Sequence, residues 1–395
     1  MEISYITQLN NCEYDNIDNI RISYDIINKN IFIKICNFVN LNILILTSCK
    51  LSFIPNEIIR LTNLEKLDLL CNNIKYFPKE ITKLHKLKKL NLGINEITII
   101  PNDIKNLTNL QTLILHSNKI NKISDEIQFL KHLKKLDLTY NEITTIPYNS
   151  NLQKLYLGNN KIKLLSNEIN KNINLKILIL NDNKIKILSE NIGNLINLEI
   201  LALSNNKIIN IPNEIGYLHK LIKLDLNQNN ISVLPNEISY LLNLKCLILY
   251  GNKLKTIFNN IDNLFKLEVL DLSDNKLQVL PNEIANLINL KLLFIYDNNF
   301  IIPNYLISNE LNMIIIKKAD INNNIIKLNI LNGNDNNIYN NLPNTLEHLQ
   351  IISLNQPLKN LPPYLKTLKI LNTTLTQNDI KLPFNCELWI NEIKN

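Results

Sequence analysis

The residues in this chain best placed to do chemistry together are one histidine, one serine and one aspartate. His116 and Ser117 are neighbours in the sequence, and Asp137 falls one predicted strand further along. A Ser-His-Asp site also needs a positioned nucleophile and hydrogen-bond donors for an oxyanion. Side chains on a flat strand surface offer neither, so we predict that the protein is not an enzyme.

Metal binding would require several converging His, Cys or carboxylate side chains. Cys49 and Cys71 fall close together in successive turns of the chain, but no third ligand accompanies them. The chain has only six glycines, which argues against glycine-rich phosphate loops. We therefore predict no metal and no other cofactor, and a buried structural role for Cys49.

The elements that must position these side chains belong to one recurring stretch, clearest at 198–220. It reads L-x-x-L-x-L-x-x-N-x-I-x-x-I-P-x-x-I-x-x-L-x-x, which is a leucine-rich repeat. Leu201 and Leu203 alternate as in a strand, whereas Ile215 and Leu218 are three apart, as on a helical turn. One such repeat cannot bury its own leucines, so neighbours must stack and share a core.

Twelve of these repeats occupy residues 41–303, and positions are numbered here from the first leucine of each repeat. They share a 23-residue period, except for the 19-residue repeat between Leu133 and Leu152. That repeat keeps Ile146 and Pro147 but lacks the I-x-x-L turn, so we expect an intact strand and a thinner convex wall. The repeats begin at Leu41, Leu64, Leu87, Leu110, Leu133, Leu152, Leu175, Leu198, Leu221, Leu244, Leu267 and Leu290.

Position 9 is asparagine in every repeat but the first, where Cys49 stands. An amide has both donors and acceptors, so it can satisfy turn backbone groups that would otherwise be buried without partners. We predict a structural ladder formed by Asn72, Asn95, Asn118, Asn141, Asn160, Asn183, Asn206, Asn229, Asn252, Asn275 and Asn298.

Both ends of the chain depart from this pattern. Residues 1–40 are predicted to form an N-terminal cap with one decayed repeat starting at Ile17, in which Asp25 takes position 9. Residues 304–395 are predicted to form a junction, shorter repeats and a C-terminal cap. Copies with a 19-residue spacing begin at Leu346 and Leu365, and weaker ones at 325 and 385. The segment 304–324 fits neither period and is predicted to be a loop, whereas the later repeats should continue the sheet.

The 23-residue repeats resemble those of the scribble and Ras-suppressor kind, whose units read L-x-x-L-x-L-x-x-N-x-L-x-x-L-P-x-x-I-x-x-L-x-N-L. The tail resembles FNIP repeats of amoebae and their giant viruses, although Leu354 stands where that signature has Phe. With its heavy use of Asn, Ile and Lys, the whole chain is similar to leucine-rich repeat proteins of those viruses.

This resemblance implies an α/β repeat solenoid, a leucine-rich-repeat horseshoe with a parallel concave β-sheet and short helical or 3-10 convex segments. It also implies a non-catalytic scaffold that binds a protein partner, in the viral case a host protein in the host cytoplasm.

Side chains at positions 3, 5 and 7 should leave the strands on the concave face. Several are apolar or aromatic, which is typical of a binding face, although a single chain also tolerates small apolar patches. The prediction favours the aromatic-rich stretch between Tyr250 and Tyr296. The predicted partner-binding residues are Tyr156, Ile177, Ile179, Ile200, Ile248, Tyr250, Val269, Leu292, Phe294 and Tyr296.

Nucleic acid and membrane are disfavoured as partners. The lysines predicted on the concave face have acidic or uncharged residues nearby, and aromatic side chains that could stack on bases are sparse. A net charge of +7 is modest for 395 residues. There is no run of 18 apolar residues. We predict a monomer that binds neither nucleic acid nor membrane.

The six cysteines include no C-x-x-C pair, and residues 1–5 do not look like the start of a signal peptide. A cytoplasmic location is therefore expected. The alternative function is a substrate-recruiting adaptor of a ubiquitin ligase or other larger machine. The stretch before the decayed repeat, 1–16, is too short for an F-box, and an N-terminal extension would reopen that possibility.

Overall fold

The computed structural model describes residues 2–3, 17–295, 297–299, 314–315, 327–331, 347–352, 354, 358, 361–371, 373–391 and 393–394. The chain divides into two units, Met1–Lys207 and Ile208–Asn395, called unit 1 and unit 2 here. Each is a repeat solenoid in which every repeat contributes a strand to a parallel sheet, so the predicted fold class is confirmed. The predicted domain boundaries at 40 and 303 stay predictions.

In unit 1 each strand pairs in parallel with the strand of the next repeat, and equivalent positions lie side by side. Leu67, Leu90 and Leu113, for example, are aligned across three strands. A separate two-stranded parallel sheet joins Leu164–Leu165 and Ile187–Leu188. The strands are β1 (Glu2–Ile3), β2 (Asn19–Ser23), β3 (Ile43–Thr47), β4 (Lys66–Asp68), β5 (Lys89–Asn91), β6 (Thr112–Ile114), β7 (Lys135–Asp137), β8 (Lys154–Tyr156), β9 (Leu164–Leu165), β10 (Ile177–Ile179), β11 (Ile187–Leu188) and β12 (Ile200–Ala202).

The core lies on one face of these strands, where positions 1, 4 and 6 point inward. Leu198, Leu201 and Leu203 each have 0% of their surface exposed, as the repeat pattern predicts. Burying a leucine fully contributes roughly 1.5–3 kcal/mol. Because the pattern recurs in each repeat, the leucines of neighbouring repeats form one continuous core within a unit.

Most repeats return through a five-residue 3-10 helix. Proline often precedes it in an extended conformation, as at Pro212 (φ −70°), and the isoleucine in its middle is buried, as at Ile215. These helices are short, and no helix of the described residues is long and apolar enough to cross a membrane. The 3-10 helices are Asn56–Arg60, Lys79–Lys83, Asn102–Asn106, Asp125–Phe129, Asn167–Lys171 and Glu190–Asn194 in unit 1, and Asn213–Tyr217, Asn236–Tyr240, Asn259–Asn263 and Asn282–Asn286 in unit 2, which also has the shorter Gln377–Asp379.

One α-helix, α1 (Lys29–Ile35), replaces the 3-10 segment in the decayed repeat. The side chain of Asn28 caps it by accepting a hydrogen bond from the Ile31 amide at 3.0 Å. Phe32 and Ile35 face the core. In the region of the predicted decayed repeat, Ile20 of β2 aligns with Leu44 of β3.

The 19-residue repeat has no 3-10 helix of its own, whereas its strand is intact, with Leu136 aligned to Leu155. Both features are as predicted. Two fully buried asparagines, Asn149 and Asn172, stand three positions before the next repeat, where the other repeats of the array have leucine. The Asn149 side chain donates to the Ile127 and Leu130 carbonyls at 2.8 and 3.0 Å. Its backbone amide donates to Oδ1 of Asn172 at 2.9 Å.

At position 8 the backbone turns left-handed in repeat after repeat. The φ angles include +51° at Ile94, +54° at Tyr140 and +66° at Gly251. Side chains other than Gly, Asn and Asp rarely adopt this region, least of all a β-branched one. Neighbouring interactions must therefore hold the turn, and the asparagine at position 9 follows it directly.

Unit 2 has the same arrangement, and its tail strands continue the sheet in parallel. Leu328, Leu349, Leu368 and Leu388 are aligned across four strands of the tail, at spacings of 21, 19 and 20 residues, so the predicted 19-residue spacing holds only between Leu349 and Leu368. Among the described strands of this unit, only the last, Ile393–Lys394, pairs antiparallel, with Glu387–Ile390. The strands are β13 (Lys223–Asp225), β14 (Cys246–Ile248), β15 (Val269–Asp271), β16 (Leu292–Phe294), β17 (Ile314–Ile315), β18 (Lys327–Leu331), β19 (His348–Ile352), β20 (Thr367–Leu371), β21 (Glu387–Ile390) and β22 (Ile393–Lys394).

The prediction of a loop over 304–324 is wrong in part. The strand β17 lies inside this segment, pairing with β16 through Leu293 and Ile314 and with β18 through Ile315 and Asn329. The sequence carries a signal for it, Leu311-x-x-Ile314-x-Ile316, which begins at a 21-residue spacing from Leu290. This spacing matches neither the 23-residue nor the 19-residue period.

Candidate protein-binding face

The asparagine at position 9 ties each repeat to the preceding one. The Nδ2 of Asn206 donates to the carbonyls of Leu180, Leu203 and Ser204 at 2.9, 3.0 and 3.1 Å. Its Oδ1 accepts from the Ile185 amide at 2.9 Å. Donors and acceptor are all used inside the protein, which is the role that the sequence predicts for this residue.

The same geometry recurs in unit 2 and changes only at the first repeat. Asn252 donates to the Leu226 and Leu249 carbonyls at 2.9 and 3.0 Å. At the first repeat the thiol of Cys49 lies 3.4 Å from the Ile22 carbonyl. Burial raises the pKa of this thiol to about 11, so Cys49 is a neutral, packed side chain. Among the described residues no group of three or more His, Cys, Asp or Glu could hold a metal ion.

A second row of asparagines, at position 23, lies at the other end of the strands. Asn109 donates to the His85 carbonyl of the preceding repeat at 2.8 Å, and Asn289 of unit 2 donates to the Phe265 carbonyl at 2.7 Å. These two side chains are exposed. This row was not predicted from the sequence, although the repeat of the resembling family ends in L-x-N-L. The members with this bond are Asn63, Asn109, Asn174, Asn197, Asn243 and Asn289.

The hydrogen-bond partners of His116, Ser117 and Asp137 are not those of a catalytic site. The His116 Nδ1 lies 3.2 Å from the Ser117 hydroxyl, and the imidazole packs where a side chain on Gly93 would stand. The carboxylate of Asp137 accepts from the Thr139 amide at 3.2 Å and its hydroxyl at 2.9 Å. Asp137 therefore stabilises the end of its own strand.

Other acidic residues at position 5 bind the backbone in the same way. The carboxylates of Asp68, Asp225 and Asp271 accept from the amide two positions later at 3.1, 3.2 and 3.0 Å. Burial raises the pKa of Asp225 and of Asp271, and the charge of Asp225 adds to the rise at Asp271. The sequence predicts that Asp68 and Asp137 offset the charge of the concave lysines. Among the described residues only Lys223 and Asp225 approach, at 4.0 Å.

Four of the predicted partner-binding residues form one patch in unit 1. Tyr156 and Ile179 are aligned at position 5 of adjacent strands, and Ile177 and Ile200 are aligned at position 3. All four are half-buried. Burial raises the pKa of the Tyr156 hydroxyl, with the negative charge of Asp137 adding to it. The Lys135 ammonium lies 5.1 Å from the centre of the Tyr156 ring.

Five more form a patch in unit 2, on three successive strands. Val269 and Leu292 share position 3, Ile248 and Phe294 share position 5, and Tyr250 follows β14. All five are half-buried. Tyr296, the tenth predicted residue, lies outside the described residues. The register also places Ile248 between Asp225 and Asp271, so this patch combines apolar groups with two carboxylates.

Several highly exposed apolar side chains lie outside the main parallel sheet. Tyr76, Ile187 and Val233, at position 13, are 81%, 67% and 67% exposed, and Ile288, at position 22, is 84% exposed. Their periodic placement is visible in the sequence, but they were not predicted as binding residues. Exposure alone therefore does not mark the concave face.

Known proteins share both the repeats and the fold. The leucine-rich repeat region family matches residues 22–169, and the leucine-rich repeat family matches 197–218, 220–241 and 266–287. Among curated proteins none matches. A leucine-rich repeat protein of Leptospira interrogans is 29% identical with a TM-score of 0.72, over 96% of each chain.

Two further solved structures extend the comparison. The plant peptide hormone receptor RGFR1, solved in complex with RGF2, is 25% identical with a TM-score of 0.66, over 94% of this chain and 66% of the receptor. An internalin of Listeria monocytogenes shares the fold. It is 22% identical with a TM-score of 0.69, over 79% of this chain and 93% of the internalin. From the matched repeats and the shared fold, the chain is a leucine-rich repeat protein.

Proposed function

We propose that this protein is a non-catalytic scaffold that binds a protein partner through the concave face of unit 2. The observation that carries the proposal is the patch of Ile248, Tyr250, Val269, Leu292 and Phe294. It projects from three aligned strands at positions that point away from the core. Proteins of this family typically mediate protein–protein interaction, which supports this class of function.

The composition of the patch supports binding energetically. Aromatic side chains bury a large area while losing few rotatable bonds, and such residues dominate the binding energy of many interfaces. The patch residues are half-buried in the free protein, so a partner gains the remaining part of their apolar surface. Asp225 and Asp271, which flank Ile248, favour a partner with a basic or hydrogen-bond-donating group beside its apolar anchor.

The solved relatives support a protein or peptide as the partner. RGFR1 is a peptide hormone receptor and was solved with RGF2 bound. For the present chain we propose a host protein as partner, a monomeric state and a cytoplasmic location. Unpaired buried thiols at Cys36 and Cys49 support a reducing compartment.

The test is the double variant Tyr250→Ala with Phe294→Ala, used as bait in capture from host lysate beside the unchanged protein. We expect capture of the specific partner to fall at least tenfold while the unfolding midpoint hardly moves. The matched control is Val233→Ala with Val279→Ala, which removes exposed apolar groups at position 13 of the same unit. This control should leave capture unchanged.

Two outcomes would count against the proposal. If the double variant also lowers the unfolding midpoint markedly, the patch is covered within the protein and serves stability. If capture and stability are both unchanged, the concave patch of unit 2 is not the binding surface, and the convex side would have to be tested.

A further inference from the structure

Lysines stand in pairs along position 3 of the unit 1 sheet. Lys66 of β4 is aligned with Lys89 of β5, and Lys135 of β7 is aligned with Lys154 of β8. The strand between the pairs carries the neutral Thr112. Lys89 and Lys154 are exposed, and the other two are half-buried. Like charges opposite each other on neighbouring strands are destabilising, so this lysine row reduces the stability of the free protein.

The carboxylates nearest in sequence do not neutralise the row. Asp68 is bonded to the Leu70 amide and to the Asn91 side chain, at 3.1 and 3.0 Å, and Asp137 is bonded to Thr139. Within the part of the chain that the structure describes, none of the four lysines forms an ion pair. Lysines at position 2 do find acidic partners, since Lys88 lies 2.8 Å from Glu65.

There is room for a ligand beside the row. A depression of about 340 Å³ opens at the first pair and is lined by Lys66, Lys89, Asn42, Ile43, Glu65 and Lys88. At the second pair the Lys135 ammonium lies 5.1 Å from the centre of the Tyr156 ring. Beyond the lysines, the row continues with Ile177 and Ile200.

We propose that this lysine row binds an extended acidic segment of a protein that runs across the strands. Neighbouring strands are ~4.8 Å apart, so the centres of the two lysine pairs lie about 14 Å apart. An extended segment rises about 3.4 Å per residue and shows alternate side chains on one face. Carboxylates at residues i and i+4 of such a segment therefore reach both pairs from the same side.

Residues around the row disfavour a nucleic acid. Asp68, Asp137 and Glu65 would repel a continuous phosphate backbone, whereas a peptide can place its carboxylates at the lysine pairs alone. Tyr156 is the one aromatic side chain aligned next to the row at position 5 of β4–β8, and single strands are bound by successive stacked bases. This inference concerns another unit and another chemistry than the aromatic patch, so it does not rest on the proposed function.

The experiment measures binding of synthetic Gly-Ser peptides that carry two pairs of glutamates, by fluorescence anisotropy at low salt. In one peptide the pairs are centred four positions apart, and in an isomer of the same composition all glutamates are adjacent. We expect the spaced peptide to bind at least fivefold more tightly than the isomer, and added salt to weaken it. Equal binding of the two peptides would overturn the predicted geometry.

The variant Lys66→Gln, Lys89→Gln, Lys135→Gln, Lys154→Gln should lose at least tenfold in affinity for the spaced peptide. Its unfolding midpoint should not fall, because the like-charge pairs are removed. The matched control, Lys75→Gln, Lys163→Gln, Lys184→Gln, Lys207→Gln, removes the same charge from exposed sites of unit 1 and should retain binding. Equal losses in both variants would overturn the proposal in favour of nonspecific attraction. Tighter binding of a single-stranded RNA than of the peptide, lost in the first variant, would overturn it in favour of a nucleic acid.

Discussion

The two rows of asparagine in this protein use the same side chain in opposite surroundings. At position 9 the amide of Asn206 is buried and bonded to groups of its own and the preceding repeat. At position 23 the amide of Asn109 is exposed and donates to one carbonyl, that of His85. Both rows join neighbouring repeats, and they differ in access to water.

This difference determines how much each row stabilises the fold. A buried polar group that loses its partner has no water to replace it, which costs about 1–3 kcal/mol. An exposed group exchanges its protein partner for water at almost no cost. The position 9 row should therefore hold the left-handed turns of position 8 in place, whereas the position 23 row should contribute little beyond aligning the entry to each strand.

The largest effect should come from the core that the buried row borders. Replacing Leu201, which is fully buried, with Ala should lower the free energy of unfolding by about 2–5 kcal/mol through lost burial and a residual cavity. Urea unfolding followed by circular dichroism measures the change. This value sets the upper end of the scale, and a change below about 1 kcal/mol would mean that position 4 is not core.

The next effect tests the buried row itself. Asn206→Ala leaves the Ile185 amide without its acceptor and removes one donor from each of the Leu180 and Leu203 carbonyls, so we expect a loss of about 1–3 kcal/mol. Amide hydrogen exchange should show faster exchange at Ile185, whose N–H bonds Asn206. Slow exchange there in the variant would show that another group or a buried water replaces the amide.

Asn149 separates burial from repeat position, because it is fully buried but belongs to neither row. Its side chain donates to the Ile127 and Leu130 carbonyls and accepts from the Asn151 amide at 2.8 Å. If burial determines how much an asparagine stabilises the fold, Asn149→Ala should lower the free energy of unfolding by about 1–2 kcal/mol, close to the effect of Asn206→Ala. If that contribution instead requires a place in one of the two rows, urea unfolding should show almost no loss of stability.

Sequence reasoning worked where one period fixes both pattern and geometry. The leucines at positions 4 and 6, the position 9 asparagines and the strand of the short repeat follow from a 23-residue period in which each residue type has one environment. It failed where the environment depends on a neighbouring repeat. The Asn149–Asn172 pair reflects a missing helix, and β17 follows a 21-residue spacing. The acids of position 5 bond the backbone, and of those described only Asp225 also approaches a lysine.

The candidate site was less predictable than the fold. The pattern identifies which side chains leave the strands on the concave face, and the register brings Ile248, Val269 and Phe294 onto adjacent strands. It does not show that such side chains remain half-buried or that Asp225 and Asp271 enclose Ile248. Those properties depend on side-chain packing between neighbours, which varies from repeat to repeat while the backbone pattern stays constant.

The smallest expected effect is at the exposed row. Asn109→Ala removes one hydrogen bond, and because water can replace it at the His85 carbonyl, we expect a change within about 0.5 kcal/mol. Lys207→Ala, an exposed position without a ladder role, provides the control and should lie in the same range. Urea unfolding of both variants beside Asn206→Ala makes the comparison direct. A loss above about 1 kcal/mol for Asn109→Ala alone would show that the exposed row contributes through strand alignment, and water access would then no longer explain the difference between the two rows.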